Sequence, residues 1–202
     1  ILSGPSFSNE VSQSLPTAVT LATKDKKDFE NISKLIPNKE FRIYYSNDLI
    51  GTQIGGALKN IYAIAAGVAE GLNLGENAKS ALISRSFAEM TRYAKKFKAD
   101  KNTLFGLSGL GDLILTCSSK NSRNTQFGIK LASSKYDNFL DLLKSQEVTE
   151  GYYTVKAVYN ISQKKNIDMP IMESVYNILY KQHDLKEELS NLLSRPITEE
   201  KI

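Results

Sequence analysis

The sequence predicts a mainly α-helical fold that begins with a small α/β unit. Short segments rich in β-branched and aromatic residues, which are typical of strands, are found before residue 47 and not convincingly after it. Beyond that point apolar residues recur every three or four positions, which indicates amphipathic helices. The longest such stretch, Asn47–Leu72, has only one charged residue between Leu49 and Ala69, namely Lys59. We therefore divide the chain into residues 1–46 and a helical domain over residues 47–202.

The first 46 residues predict the element order β-α-β-α-β. A unit of this size buries too little apolar surface to be stable alone. Since Ile1-Leu2 is not an initiator sequence, we expect this unit to be the closing edge of a larger α/β sheet whose first part precedes the chain. Its predicted elements are a strand end and turn at Ile1–Phe7, a short helix from Ser8 to Leu15, a strand at Thr17–Thr23, a helix at Lys26–Leu35 and a strand at Phe41–Tyr45.

The remainder of the chain predicts helices separated by polar or glycine-containing breaks. The second long helix, Glu76–Ala99, is amphipathic, and its charged residues, Glu89 among them, are expected on an outer face or an interface. Gly106–Cys117 is predicted as a glycine-rich loop followed by an apolar run. The other predicted helices are Asn47–Leu72, Arg123–Ser133, Asn138–Lys144, Thr149–Lys164, Ile167–Lys181 and Leu185–Leu193, with a single turn at Asn102–Phe105.

The composition excludes several classes of function. The net charge of +4 comes from 26 basic and 22 acidic residues that are interspersed, so nucleic-acid binding is not predicted. The only cysteine, Cys117, and the only histidine, His183, leave no local support for a disulfide, a multi-cysteine metal site or a Ser-His-Asp triad. We predict no metal, a reducing compartment, and a buried, unreactive Cys117. The central Lys59 argues against a membrane span at 47–72.

Lys59 and Asp112 are the first candidate functional pair. The face of the helix around Lys59 is built mainly from small residues such as Gly55, Gly56 and Ala63, so another group can approach its ammonium closely. Asp112 ends the glycine-rich segment 106–112 and precedes an apolar run, where an unpaired carboxylate would be costly. Lys59 is a candidate partner for it. The simpler alternative is that Lys59 extends to solvent.

Three further polar segments suggest ligand contacts. Ser122, Arg123 and Asn124 precede or begin a helix, where backbone N–H groups and a guanidinium suit a phosphate. Gly4 and Ser6 follow a strand end and can present backbone N–H groups. Helix capping and an ordinary turn explain the same residues without a ligand, and capping is the better explanation of Glu150. A lysine, an aspartate and a phosphate-binding segment together suit alcohol–ketone interconversion, with the hydride acceptor on another domain.

The motifs SGPSF at 3–7, GGALKN at 55–60, GLGDL at 109–113, SRN at 122–124 and VTEG at 148–151 occur in this order. In these segments the chain resembles the bacterial NAD(P)-dependent glycerol-3-phosphate dehydrogenases over nearly its whole length. The resemblance implies a helical catalytic domain of the 6-phosphogluconate dehydrogenase type, preceded by the end of a Rossmann domain. It implies NAD(P)H-linked interconversion of glycerol 3-phosphate and dihydroxyacetone phosphate in the cytoplasm, for phospholipid synthesis.

The resemblance also implies roles for particular residues. Lys59 would be the proton acceptor, and the Gly55–Gly56 step would leave space for substrate and nicotinamide. Ser8 stands where alanine is more usual in the family. The glycine-rich cofactor fingerprint and a second substrate lysine would lie before residue 1, so we expect this chain alone to be inactive. The implied substrate contacts are Gly4, Ser6, Lys59, Asp112, Ser122, Arg123 and Asn124, and the implied cofactor contacts are Ser8, Arg123, Val148 and Glu150.

Two alternatives stay open at this point. The chain could belong to another dehydrogenase of the hydroxyacid or 6-phosphogluconate group, which would act on a carboxylate substrate. It could instead be a non-catalytic helical oligomerisation module, in which case Lys59, Asp112 and Arg123 would point apart. The expected partner is a small-molecule substrate, without nucleic acid or a membrane span, and the sequence leaves a homodimer open.

Overall fold

The structure, a computed structural model, describes residues 1–36, 39–133, 149–196 and 199–200. The expected mainly α fold with a small α/β unit is confirmed, and the predicted helix at Asn138–Lys144 lies outside the described residues. The N-terminal elements are β1 (Leu2–Ser3), α1 (Ser8–Ser12), β2 (Thr17–Ala22), α2 (Lys26–Lys34) and β3 (Phe41–Ser46). They are followed by α3 (Leu49–Gly71), α4 (Glu76–Lys96), α5 (Lys101–Phe105), a π-helix (Leu107–Gly111), α6 (Asp112–Ser118), α7 (Arg123–Ala132), α8 (Glu150–Lys165), α9 (Pro170–Lys181) and α10 (Leu185–Leu193).

The three strands form one sheet in the order β1-β2-β3. β1 runs antiparallel to β2, with Leu2 opposite Leu21, and β2 runs parallel to β3, with Thr17 opposite Phe41. The parallel pair requires a crossover connection, which α2 provides. Residues of β2 are buried because the strand lies in the middle of the sheet, which contacts α3 and the π-helix.

Helix α3 is the centre of the helical domain. It contacts α4, α6, α7 and α8 and is buried over most of its 23 residues. Its first turn is capped by Asp48, whose Oδ1 accepts the Gly51 N–H at 2.8 Å. Gly67 of α3 faces α7, and a Cβ there would overlap the Thr125 carbonyl oxygen, so the two backbones meet closely. None of the helices in the described part of the chain is both long and apolar enough to span a bilayer.

The segment Gly106–Cys117 is helical, whereas the sequence predicted a loop and an apolar run. The π-helix at Leu107–Gly111 continues directly into α6 at Asp112. Glycine lowers helix propensity, so the local sequence gave no helical signal. Here the glycine is needed for packing, because a Cβ at Gly109 would overlap the Leu104 carbonyl oxygen. Tertiary contact therefore decides the conformation, and it buries Cys117 as expected.

The predicted outer face of α4 is wrong for two of its charged residues. Glu89 is 1% exposed and lies within the continuously buried run 86–91. Lys79 is also buried, and its Nζ donates to Glu70 Oε2 at 2.9 Å. Each of these charges has specific partners on another element, which is the condition under which a charge is tolerated inside a protein.

Candidate active site

An ion pair between α3 and α6 forms the centre of the candidate site. Lys59 Nζ lies 2.5 Å from Asp112 Oδ2, and the two side chains are 21% and 2% exposed. Asp112 lies where the π-helix continues into α6. The simpler alternative, a lysine that extends freely into solvent, is therefore wrong.

The second oxygen of Asp112 is held by Thr116, one turn further along α6. The Thr116 hydroxyl lies 3.2 Å from Asp112 Oδ1 and donates to the Asp112 carbonyl oxygen at 2.6 Å. The Thr125 hydroxyl donates in turn to the Thr116 carbonyl oxygen at 2.8 Å. The carboxylate that contacts Lys59 is thus fixed from both sides. Thr116 cannot be recognised from sequence alone, because its position beside Asp112 exists only if residues 112–118 form a helix.

A cleft of about 430 Å³ opens beside this ion pair. It is bordered by several residues that the resemblance implied for substrate or cofactor, which are Gly4, Ser6, Lys59, Asp112 and Glu150. It is also bordered by Ser3 of the SGPSF segment, and by three polar residues of α3 for which the sequence predicted no role, which are Thr52, Gln53 and Asn60. Most of the wall comes from β1, the turn after it and the middle of α3. The cleft therefore lies at the junction of the α/β unit and the helical domain.

The turn after β1 has a conformation that requires glycine. Gly4 has a φ of +149°, and a Cβ at this position would lie 3.0 Å from Val19 Cα. The Ser6 hydroxyl donates to the Gly4 carbonyl oxygen at 3.0 Å, which closes the turn. Ser8 begins α1, is exposed and is not among the residues that border the cleft.

The start of α7 is held by its own polar side chains. Ser122 Oγ accepts the Thr125 N–H at 3.2 Å, as a helix cap does. Asn124 Nδ2 donates to Asn60 Oδ1 at 3.0 Å, and Asn124 Oδ1 accepts the Gly151 N–H at 3.0 Å. These bonds join α7, α3 and α8 next to the cleft. Ser122 and Asn124 are buried and do not border the cleft themselves.

Arg123 differs from its two neighbours because its side chain is exposed. Within the described ranges it has no ion-pair or hydrogen-bond partner, so its guanidinium is available to an anion. It does not border the cleft. Lys59 and Asp112 thus lie together, whereas the hypothesis of a non-catalytic oligomerisation module predicted that they would point apart. Arg123 lies outside their cleft.

The remaining predicted features are the start of α8 and the Gly55–Gly56 step of α3. Glu150 is exposed, begins α8 and borders the cleft, whereas Val148 lies outside the described residues. Gly56 borders the cleft opposite Ser3, and a Cβ there would lie 2.9 Å from Ser3 Oγ. Gly55 is different, because a Cβ there would overlap the Ser108 carbonyl oxygen of the π-helix. Backbone therefore fills the space expected beside Gly55, and Ser3 Oγ lies close to Gly56, although Gly56 borders the cleft.

This arrangement can hold and transfer a proton. Lys59 has three ammonium hydrogens, of which Asp112 needs one, so the others can reach a ligand in the cleft. The fixed carboxylate keeps the ammonium in one position, which is the requirement for general acid–base catalysis. The hydroxyl and amide groups around the cleft suit a small polyhydroxylated molecule.

Comparison with known proteins gives a consistent result. Residues 48–190 match the family model of the NAD-dependent glycerol-3-phosphate dehydrogenase C-terminus. The chain is 47% identical to glycerol-3-phosphate dehydrogenase [NAD(P)+] of Solidesulfovibrio magneticus over 201 residues, covering 99% of this chain and 60% of that protein. It is 44% identical to the protein of the same name from Colwellia psychrerythraea, covering 96% of this chain and 58% of that protein.

Solved structures show the same likeness. The glycerol-3-phosphate dehydrogenase of Coxiella burnetii superposes with a TM-score of 0.90 at 38% identity, covering 96% of this chain and 59% of that one. The glycerol-3-phosphate dehydrogenase of Saccharomyces cerevisiae superposes with a TM-score of 0.82 at 27% identity, covering 96% of this chain and 59% of that one. The chain thus spans about 60% of the length of the relatives that it matches.

Proposed function

This chain belongs to the NAD-dependent glycerol-3-phosphate dehydrogenase family, and from that premise we propose that it supplies the proton-transfer and substrate-binding part of such an enzyme. The reaction is the interconversion of sn-glycerol 3-phosphate and dihydroxyacetone phosphate. The observation that carries the proposal is the fixed Lys59–Asp112 pair at an open, polar cleft. The names of the relatives support the substrate and a nicotinamide cofactor.

In this proposal Lys59 donates the proton of the substrate hydroxyl in one direction of the reaction and accepts it in the other. During reduction, C2 of dihydroxyacetone phosphate gains a hydride, and its carbonyl oxygen takes a proton from the Lys59 ammonium. During oxidation, the neutral amine takes the proton of the C2 hydroxyl. Asp112 holds the lysine in place and offers an acceptor to the substrate hydroxyls, since Thr116 already orients its carboxylate. The Gly4–Ser6 turn contributes the opposite wall of the cleft.

The phosphate group is assigned to the start of α7. Arg123 is exposed at the first turn of a ten-residue helix, where the dipole and the guanidinium favour the same anion. Ser122 and Asn124 act there mainly by holding the turn and its neighbours in place, with contacts to the phosphate through backbone groups. The link from Asn124 to Asn60 ties this turn to the wall of the cleft.

The cofactor supplies the hydride, and residues of this chain fit such a role in part. Glu150 borders the cleft that contains Lys59, and Ser8 and Arg123 are exposed, so all three are accessible to a dinucleotide. Val148 is assigned to the same role from the resemblance. The division at residues 46 and 47 is supported by the family match, which starts at residue 48. A role in phospholipid synthesis, a cytoplasmic location and a homodimer stay predictions.

The experiment is a substrate comparison with the full-length protein. NAD(P)H oxidation is followed with dihydroxyacetone phosphate and, separately, with 2-oxo acids and other carboxylate substrates of similar size. Turnover of the triose phosphate with little or none of the carboxylates is the expected result. The reverse preference would place the protein in the hydroxyacid or 6-phosphogluconate group. Turnover of neither, with a folded protein, would favour the non-catalytic module.

A further inference from the structure

A buried carboxylate outside the candidate active site joins three helices. Glu89 of α4 is 1% exposed, and its Oε1 accepts the Ile171 N–H of α9 at 2.6 Å. Its Oε2 accepts the Met172 N–H at 3.1 Å and the Tyr62 hydroxyl of α3 at 3.3 Å. We call these four residues the α4–α9 clasp. Nothing in the proposed reaction uses Glu89.

Helix α9 depends on this carboxylate for its start. The first turn of a helix leaves its N–H groups without partners inside the helix. Pro170 occupies the first position and has no N–H, and the preceding Met169 has no side-chain oxygen and makes no capping bond. Glu89 therefore provides the cap from another helix, 82 positions away from Ile171 in the sequence.

The carboxylate is held by neutral donors and not by a cation. Burial raises the pKa of Glu89 from 4.5 to about 7, although the two N–H groups and the nearby Arg92 act in the opposite direction. Arg92 is occupied elsewhere, since its Nε donates to the Asp168 carbonyl oxygen at 2.8 Å. In the described part of the chain no cation forms an ion pair with Glu89.

The charged groups around the clasp come from every neighbouring element. Tyr62 is the ionisable group on α3, and burial together with Glu89 raises its pKa well above 10, so it stays a hydrogen donor. Asp168, before α9, raises the pKa of Glu89 slightly and is itself paired with Arg195. The other charged groups near by are Arg85 on α4, Glu173 in the first turn of α9, and Glu188 on α10, which is held by His183.

A cavity of about 760 Å³ adjoins the clasp. Its lining is mainly apolar and includes Glu89, Pro170 and Ile171. Glu89 and the first residues of α9 therefore lie at the wall of a space and are not enclosed by packed side chains on every side. The clasp is therefore a junction whose opening would return Glu89 to water.

We propose that the α4–α9 clasp is a proton-operated joint, which holds the first turn of α9 when Glu89 is protonated and opens more readily when Glu89 is ionised. A protonated carboxyl keeps lone pairs that accept from the two N–H groups and from the Tyr62 hydroxyl. Ionisation in the closed joint carries the cost of desolvation, which opening removes. By linkage, a rise in pH therefore shifts the joint toward its open form. This device does not depend on the proposed reaction.

The test is native-state hydrogen exchange of the 202-residue chain labelled with ¹⁵N. Exchange rates of the Ile171 and Met172 amides are divided by the intrinsic rates at each pH, which yields the opening equilibrium. We expect opening to increase at least about tenfold between about pH 5 and pH 8 and then to level off, because a tenfold change corresponds to one unit of pKa difference. The Ile64 amide, in the middle of α3, serves as the reference and should show no such step.

Two variants identify the responsible group. Glu89→Gln keeps a hydrogen-bond acceptor but cannot ionise, so the rise of the opening equilibrium with pH at Ile171 and Met172 should disappear. Tyr62→Phe removes a donor to the carboxylate, which should move the step to higher pH; this variant also serves if Glu89→Gln does not fold. Opening that is independent of pH in the unmodified chain, opening that increases toward low pH, or a step that persists in Glu89→Gln would each overturn the proposal.

Discussion

Lys59 Nζ and Asp112 Oδ2 lie 2.5 Å apart, although the two residues are 53 positions apart in the sequence. The pair joins the longest helix to a short one, and only the lysine is substantially accessible. A buried carboxylate that touches an accessible ammonium fixes the position of that ammonium. This relationship is the basis for assigning proton transfer to Lys59.

Removing the ammonium should destabilise the protein through the carboxylate that it leaves behind. We expect Lys59→Met to lower the free energy of unfolding by about 3 kcal/mol, because Asp112 would be a buried charge without its cation. The double variant Lys59→Met/Asp112→Asn should regain most of this loss. Chemical denaturation measures both, with the exposed Lys186→Met as the control. Equal instability of single and double variants would contradict the account of the pair.

The close crossing of α3 and α7 should not tolerate a methyl group. We expect Gly67→Ala and Gly128→Ala each to lower the free energy of unfolding by about 3 kcal/mol, because each Cβ would overlap a backbone carbonyl oxygen of the other helix. Gly111→Ala is the matched control, since its Cβ would meet atoms only at 3.7 Å and beyond. Replacing this helical glycine by alanine should leave the free energy of unfolding unchanged or raise it slightly. Similar effects at all three positions would show that the crossing is not close.

Cys117 should resist alkylation in the folded protein. Its side chain is fully buried, and burial raises the pKa of its thiol to about 12, so almost no reactive thiolate forms near neutral pH. With iodoacetamide at about pH 8, mass spectrometry should detect little modification under native conditions and full modification in guanidinium chloride. Rapid labelling of the native protein would mean that this part of the core is open.

The free energy of unfolding of the unmodified protein should fall relative to that of Glu89→Gln as the pH rises. Its pKa is raised from 4.5 to about 7 in the folded state, so folding favours the protonated form. The stabilising contribution is complete below about pH 4.5 and is lost as the pH rises to about 7, by up to about 3 kcal/mol. Denaturation of both proteins across this range measures the difference. A constant difference, or one of opposite sign, would contradict the assignment.

The comparison with Glu89→Gln also removes the effects of other carboxylates. Glu70 behaves in the opposite way, because its hydrogen bond with Lys79 lowers its pKa and stabilises the fold above its unfolded pKa. That contribution is the same in both proteins and cancels. The remaining pH dependence belongs to position 89.

The features that could be predicted from sequence are those that rest on local patterns. The apolar spacing of α3 and the β-branched and aromatic segments of β2 and β3 depend on neighbouring residues, and the structure has these elements. The Lys59–Asp112 pair could be anticipated because each is an isolated charge within an apolar segment. Only the energetic cost of an unpaired charge was needed to connect them.

The features that could not be predicted depend on contacts distant in sequence. Glu89 looks like a surface residue until Ile171 and Met172 require an acceptor. The π-helix and α6 form on a glycine-rich segment whose intrinsic helix propensity is low, since its glycines permit backbone contacts with α3 and α5. The role of Gly55 was misjudged for the same reason, because Ser108 fills the space beside it.

The central claim is that Lys59 donates and accepts the proton of the substrate hydroxyl. The most direct test measures kcat after the amine at position 59 is removed and again after it is restored chemically. In the full-length protein, Lys59→Cys should lower kcat for dihydroxyacetone phosphate by about 10² to 10⁴. Alkylation with 2-bromoethylamine then restores an amine of nearly the same length, while buried Cys117 is protected. Alkylated unmodified protein and Lys186→Cys are the controls. The account predicts that alkylation restores a large part of kcat in Lys59→Cys alone; near-normal turnover before alkylation, or no recovery after complete alkylation of the folded variant, would contradict it.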